Sequence, residues 1–233
     1  MRLRMPDAPL PAGEDKAKAV RSMFDSIAPR YDLVNRIMTF GMDVGWRRRA
    51  VAGLRLEPGA VVIDVACGTG DFCREVQRAG GVAFGLDMSL GMLQKARTSA
   101  PLAQADGLRM PLRDGLADAV TCGFALRNVI DIPSLFAEFA RVLKPGGRIA
   151  VIEVAEPKGK LLRSGHHFYF HKVVPMIGGL LSDRDAYSYL PRSTAYLPPT
   201  PELLTMLGRV GFDEARMEPL GLGAAQLLTG VRR

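Results

Sequence analysis

The stretch Ala60-Val-Val-Ile-Asp-Val-Ala-Cys-Gly-Thr-Gly-Asp71 constrains this chain more than any other. Its β-branched run, Val61 to Val65, stops just before Gly68 and Gly70, which reads as a buried strand, a tight turn and then a helix. Glycine lets the main chain approach a ligand closely, and the first turn of the next helix, about 72–78, presents unpaired N–H groups to it. Asp64, at the strand's end, then faces the same crevice. Taken alone the motif is weak. Cys73 stands where the dinucleotide fingerprint has its third glycine, and two glycines with Asp64 as a helix cap are also what a plain turn requires.

Around this stretch strand and helix alternate. Residues 82–86 read as a second strand ending at Asp87, 90–97 as a helix, and 102–105 as a short third strand ending at Asp106. Residues 117–122 form the fourth strand, 134–143 a helix, and 148–154 the fifth strand after Lys144-Pro-Gly-Gly147. This rhythm predicts parallel strands with helices on both faces. A helix from Thr200, opening on a cap and a proline, precedes a closing antiparallel pair at 212–217 and 224–231. Helix plus hairpin after five βα units predicts a Rossmann-like α/β sheet of seven mostly parallel strands rather than two symmetrical dinucleotide-binding halves.

The flanks are helical. In 14–40, Val20, Phe24, Ile27, Leu33, Val34, Ile37 and Met38 recur at three- and four-residue intervals, with a break at Pro29. Asp43 reads as the cap of a further helix whose Trp46, Ala50 and Leu54 share a face, while Arg47, Arg48 and Arg49 mostly project elsewhere. A second helical insertion is expected over 160–181, interrupted at Pro175 and Gly178-Gly179. The organisation expected is a loose arm at 1–13 and one domain over 14–233. That domain comprises a helical extension (14–56), a ligand-binding core (57–157), a helical insertion (158–199) and a closing helix with hairpin (200–233).

With 233 residues, 48% hydrophobic, the chain can bury one substantial core. A net charge of +7 favours an anionic partner without choosing between membrane and nucleic acid. The three cysteines, Cys67, Cys73 and Cys122, are odd in number and lack metal-ligand spacing, which points to a reducing compartment and no metal site. No apolar run reaches the ~18–20 residues of a membrane span. A cytoplasmic protein is expected, one that touches the inner face of a membrane at most.

Asp64, Asp87 and Asp106 end three successive strands and so line one rim of the sheet. Asp87 lies 17 residues beyond Gly70, close to the ~20-residue offset at which an acid binds ribose hydroxyls. A carboxylate accepts two hydrogen bonds at once, which suits a vicinal diol. The alternative for each acid is a cap on the helix that follows.

The order Asp64-Val-Ala-Cys-Gly-Thr-Gly70, Gly85-Leu-Asp87-Met-Ser-Leu-Gly-Met-Leu93, Ala105-Asp106 and Arg141-Val-Leu-Lys-Pro-Gly-Gly147 resembles S-adenosylmethionine-dependent methyltransferases. Tyr31-Asp-Leu-Val-Asn35, Phe40-Gly41, Trp46-Arg47, Phe124-Ala-Leu-Arg-Asn128 and Tyr187-Ser-Tyr-Leu-Pro191 with Ser193 narrow the resemblance to the C-methyltransferases of menaquinone and ubiquinone biosynthesis. The resemblance implies S-adenosyl-L-methionine as cofactor. The glycine turn Gly68, Thr69 and Gly70 would hold its methionine part, Asp87 its ribose, and Asp106 with Gly107 its adenine; Asp64, Met88 and Gly123 would also contact it. The family usually has histidine where Asp43 stands, serine at Gly123 and often histidine near Leu228.

The reaction implied is methylation of a ring carbon of a demethylated prenyl quinol. Absence of an Arg- and Ser-rich, acid-poor presequence favours menaquinone. Arg127 and Asn128, after strand four, are expected at the reacting end, with Tyr31 or Asp32 closing over them and His171 the preferred proton carrier. A structural salt bridge is the alternative for Arg127, and a packed or solvent-facing ring for His171. The isoprenoid tail implies contact with a membrane surface, through Arg47 to Arg49 and residues 168–177, unless those arginines are ordinary solvated charge. A homodimer stays open. Another small-molecule acceptor fits the same cofactor half. A nicotinamide dehydrogenase lacks its third glycine here, and an RNA-binding protein lacks any aromatic–basic RNA motif.

Overall fold

The computed structural model describes residues 13–157, 159–174, 176 and 193–233, without the side chains of residues 160, 161, 166, 170 and 171. The expected arm, the second half of the insertion and the 187–191 motif lie outside the described residues. Val61 to Val65 is a strand, β1, because both of its faces are buried. Val62 and Asp64 turn towards one layer of helices, Ile63 and Val65 towards the other.

Beside β1 stand β2 (Val82–Asp87), β3 (Leu102–Gln104), β4 (Ala117–Gly123), β5 (Leu143–Val154), β6 (Phe212–Leu220) and β7 (Ala225–Arg232). They form one seven-stranded sheet in the order β3-β2-β1-β4-β5-β7-β6. The first five are mutually parallel, and β7 runs antiparallel to both of its neighbours. The order reverses between β1 and β4, and ligands of open α/β sheets bind in the crevice beyond the strand ends at such a reversal. The expected sheet and closing hairpin are therefore present.

The connecting helices follow from their apolar stripes. Helix α6 (Ile132–Val142) buries Leu135, Phe136 and Phe139 against Ile63, Val120 and Ile149. Phe136 and Phe139 are wholly buried, and each stabilises the fold by roughly 1.5–3 kcal/mol. Helix α4 (Asp71–Arg78) packs Cys73 and Val76 on the opposite face beside Val62 and Ala119. Helix α8 (Thr200–Arg209) adds Leu203 and Leu207 to the first layer.

The N-terminal extension comprises α1 (Gly13–Ile27), a 3-10 turn at Ala28–Arg30 around Pro29, α2 (Tyr31–Met38) and α3 (Met42–Gly53). Three local expectations are corrected. Asp43 does not cap α3: Gly41 is the capping residue, and the Asp43 carboxylate is buried under Arg36 and Arg47. The helix after Asp87, α5, is short (Leu90–Gln94), capped by the Ser89 hydroxyl. Strand β5 begins five residues early, carrying Lys144-Pro-Gly-Gly147 as a bulge, since Ala117 pairs with Leu143 but Ala119 with Arg148. Helix α7 (Lys160–Phe168) runs into a π-helical turn, Tyr169–Val173.

Candidate active site

At the end of β1 the chain turns through Ala66, Gly68 and Gly70, all with positive φ (55°, 55° and 83°). A Cβ on Gly70 would lie 2.5 Å from Thr98 Cγ2, so glycine is required there both by conformation and by contact. Across the turn, Asp87 Oδ2 accepts the Gly68 N–H at 2.7 Å while Oδ1 accepts the Ser89 N–H at 2.8 Å. Burial raises the Asp87 carboxyl above its ordinary range, and these bonds work against the rise. Asp87 therefore ties the glycine turn to the start of α5 and does not cap that helix itself.

Between them opens a crevice enclosing about 930 Å³, its open mouth included. Gly68, Asp87 and Gly123 form its floor, Met88, Asp106, Gly107 and Leu108 one end, and Tyr31, Asn128 and Ile130 the other. Asp106 also accepts the Leu108 N–H at 2.9 Å, which closes the turn after β3. A Cβ on Gly107 would meet Val65 Cγ1 at 2.9 Å, so the backbone passes directly over the sheet there.

Val20 and Phe24 of α1 make the outer wall. Polar ties hold the extension in place. Asp25 Oδ1 accepts the Ser89 hydroxyl at 2.6 Å and the Gly91 N–H at 2.9 Å. Lys16 donates to the Val129 carbonyl at 2.9 Å and stands 3.8 Å from the centre of the Tyr196 ring. The Thr69 hydroxyl donates to Asp32 Oδ1 at 2.5 Å, which brings the α2 acid onto the glycine turn.

A smaller pocket opens on the other side of that turn, lined by Tyr31, Arg47, Asp64, Thr69, Asp71 and Phe72. Arg47 is 5% exposed, bonded to Asp43 and 3.3 Å from Asp71, with the Phe72 and Phe124 rings on either hand. Its burial overturns the expectation that it joins Arg48 and Arg49 on the surface; those two pair with Glu75 and Glu218. Asp64 accepts the Thr121 hydroxyl at 2.9 Å and lies 3.5 Å from Cys73 Sγ. Burial lifts the Asp64 carboxyl to about 7, against the pull of those two donors. Burial likewise pushes the Tyr31 phenol up to about 12, although Arg47 and Arg127 favour its anion.

Arg127 turns inwards. It is 3% exposed, paired with Glu153, and donates to the Phe124 carbonyl at 2.7 Å and to the Ser193 hydroxyl at 3.1 Å. Its own N–H binds Glu153 Oε2 at 3.1 Å. Asn128 lines the crevice one residue further on. His171 lies in the π-helical turn, and its side chain is outside the described part. At Gly123 a Cβ would approach Phe72 Cε2 to 2.9 Å, so the Phe72 ring occupies the space a serine would need. Glu153, Phe72 and the role of Arg47 escaped the sequence reading. Glu153 finds Arg127 26 residues away, Arg47 reaches Asp71 across the glycine turn, and Phe72 meets Gly123 from another element, so these contacts depend on the fold.

A seven-stranded sheet whose β7 alone runs antiparallel, with a crevice over the β1 and β4 ends, defines the Rossmann-like methyltransferase class. Solved structures agree on the fold. An S-adenosylmethionine-dependent methyltransferase from Thermotoga maritima, a possible histamine N-methyltransferase, superposes with TM-score 0.63 at 19% identity, covering 91% of this chain and 99% of that one. The [4+2]-cyclase SpnF superposes with TM-score 0.68 at 15% identity over 96% and 97%. The second is a reminder that this fold does not fix the reaction.

The chain belongs to the ubiE/COQ5 methyltransferase family, whose model matches residues 12–232. The demethylmenaquinone methyltransferase of Deinococcus radiodurans is 42% identical over 230 residues, 94% of this chain and 95% of that protein. That of Roseiflexus castenholzii is 40% identical over 232 residues, 96% and 98%. The ubiquinone/menaquinone biosynthesis C-methyltransferase UbiE of Geobacter sulfurreducens is 38% identical over 232 residues, 94% and 90%.

Proposed function

We propose that this protein transfers a methyl group from S-adenosylmethionine to a ring carbon of a demethylated prenyl quinol, demethylmenaquinol in the first instance. The observation that carries the reading is the Asp87–Gly68 bond at 2.7 Å beside an open crevice, in a chain of this family. Each Asp87 oxygen spends one acceptor site on an N–H and keeps another, which suits the two hydroxyls of a ribose.

The residues fit the rest of such a cofactor. Met88, Leu108 and Leu135 offer an apolar slot for an adenine, with Asp106 and Gly107 at its edge. The smaller pocket pairs a buried cation, Arg47, with the acids Asp64 and Asp71, which matches an amino acid bearing both an ammonium and a carboxylate. When bound, S-adenosylmethionine supplies a methyl group already activated on a sulfonium.

What the chain adds is position and dryness. The crevice wall of Val20, Phe24 and Tyr31 shields the reacting end from water, and fixing the ring in line for transfer is worth up to ~7–11 kcal/mol. The quinol, electron-rich at carbon, is the reactive form; the quinone is not. Tyr31, with its phenol at about 12, stays protonated at neutral pH and serves as a donor to a quinol oxygen.

Arg127 acts through its neighbours. Engaged by Glu153, Ser193 and the Phe124 carbonyl, it fixes the loop that carries Asn128 and contributes a positive field at the reacting end. Asn128 then orders the acceptor oxygen or a water that takes the ring proton. His171 is the imidazole proposed for proton transfer. The tail of such a substrate requires the enzyme to meet a membrane; no helix among the described residues is long and apolar enough to cross one.

Mass spectrometry of the products formed from demethylated naphthoquinol and benzoquinol with S-adenosylmethionine tests the reading. Methylated naphthoquinol is the expected product. Cofactor binding without methylation of either ring would move the acceptor elsewhere, and absence of cofactor binding would end the proposal.

A further inference from the structure

Two large apolar residues stand where folding gives no reason for them. Phe40, in the turn between α2 and α3, is 74% exposed, and Leu222, in the turn between β6 and β7, is 82% exposed. Both have positive φ, 51° and 59°. A left-handed backbone position at an exposed turn favours glycine or asparagine, and a bulky apolar side chain there is unfavourable for conformation and solvation together. Such a double departure from local preference marks function.

The two turns share one rim of the molecule. Asp71, the first residue of α4, pairs with Arg36 and Arg47 on either side of Phe40, which pins that turn beside the glycine loop. Gly221 packs on the Trp46 indole of α3, where a Cβ would lie 2.5 Å from Cζ2. Ala225 pairs with Val154, so the Leu222 turn sits at the carboxyl end of β5, the edge on which the crevice opens.

Other exposed apolar groups extend the surface. Leu33 and Ile37 are exposed on α2, the helix that leads into the Phe40 turn, and the Phe40 ring rests 5.5 Å from that of Tyr169, next to the exposed Phe168. Cations flank it. Arg97 approaches Asp32, the neighbour of Leu33, at 4.0 Å and remains 75% exposed, and Lys172 is exposed beyond Tyr169.

From this we infer that the rim carrying Phe40 and Leu222 docks on an anionic phospholipid bilayer, inserting both side chains at the headgroup boundary. Protruding apolar groups with Arg97 and Lys172 exposed on the Phe40 side, on a chain of net charge +7, match an interface that is apolar within and negative at its surface. The orientation opens the crevice towards the lipid, so an isoprenoid tail stays in the bilayer while its ring enters. The inference rests on the prenyl-quinol reading for that last step alone.

Flotation of the full chain with phosphatidylglycerol-containing vesicles, against phosphatidylcholine alone, tests it. Wild type is expected to float with the anionic vesicles at low salt, and brominated acyl chains to quench Trp46, the single tryptophan. Phe40→Asn and Leu222→Asn should each weaken partitioning about tenfold, the loss expected from one large apolar side chain no longer buried. Asparagine accepts a left-handed backbone, so both variants should melt at or above wild type.

Wild type remaining in the buffer fraction, or variants floating like wild type, overturns the inference. So does a wild-type dimer dissociated by Phe40→Asn with flotation unchanged, which would assign the surface to a second copy. Flotation is read without turnover. Vesicle binding with no quinol methylation would sink the substrate reading alone. Methylation of a short-tailed quinol without vesicle binding would sink this surface alone.

Discussion

The Arg127 guanidinium and the Glu153 carboxylate are paired beneath the crevice, 3% and 2% exposed. Taking one partner away strands a buried charge, which typically costs ~3–5 kcal/mol, whereas replacing both with apolar groups is often neutral. Arg127→Met and Glu153→Met are each expected to lower the urea midpoint strongly, and the double variant to recover most of the loss. Methylation should stay low in the double variant even where stability returns. Full turnover there would remove Arg127 from the reaction.

Asp87 and Asp25 hold the cofactor side from two directions. Asp87→Ala leaves the Gly68 and Ser89 N–H groups without their acceptor and removes the proposed ribose ligand. Calorimetry with S-adenosylmethionine should show a loss of affinity of about 10–100-fold, from ~1.5–3 kcal/mol for hydrogen bonds to a charged group. Asp25→Ala, which releases α1 from Ser89 and Gly91, should weaken binding less and raise hydrogen exchange along α1.

Asp64 makes stability depend on pH in a direction opposite to most acids. Its folded carboxyl is raised to about 7 from the ordinary 3.8, so between those values the folded protein holds a proton that the unfolded chain has lost. Stability from this group accordingly rises as pH falls from about 7 towards 4 and is smallest above 7. The lowered acids Asp43 and Glu138 act the other way. The difference between wild type and Asp64→Asn therefore isolates the effect. Urea midpoints at several pH values across that window should converge with acidification; a constant difference would contradict the assignment.

Gly123 is confined by the Phe72 ring, whose Cε2 lies 2.9 Å from where a Cβ would stand. Gly123→Ser is expected to lower the melting temperature, because the ring must shift within a packed layer. Combining it with Phe72→Leu should restore part of the loss. Additive losses in a thermal melt would show that the ring is not what limits the position.

Much of this architecture was legible in the sequence because it is written locally. The run Val61–Val65, the glycines after it and the acids ending β2 and β3 each announce themselves within a few residues. Period and turn chemistry act over that range. Sequence and structure part where a local signal meets a competing partner. Asp43 has the spacing of a helix cap, but Arg36 and Arg47 claim its carboxylate. Lys144-Pro-Gly-Gly147 has the composition of a loop, yet pairing of Leu143 with Ala117 draws it into β5 as a bulge.

The sequence by itself determined the order of strands and helices, the place of the glycine turn and the family resemblance. Tertiary structure alone decided which distant polar groups come together: Arg127 with Glu153, Arg47 with Asp71, Thr69 with Asp32. It also decided that Phe40 and Leu222 stay outside the core. Electrostatic pairing and solvent exposure depend on distance in space, and chain separation carries almost no information about that until the sheet has closed the gap.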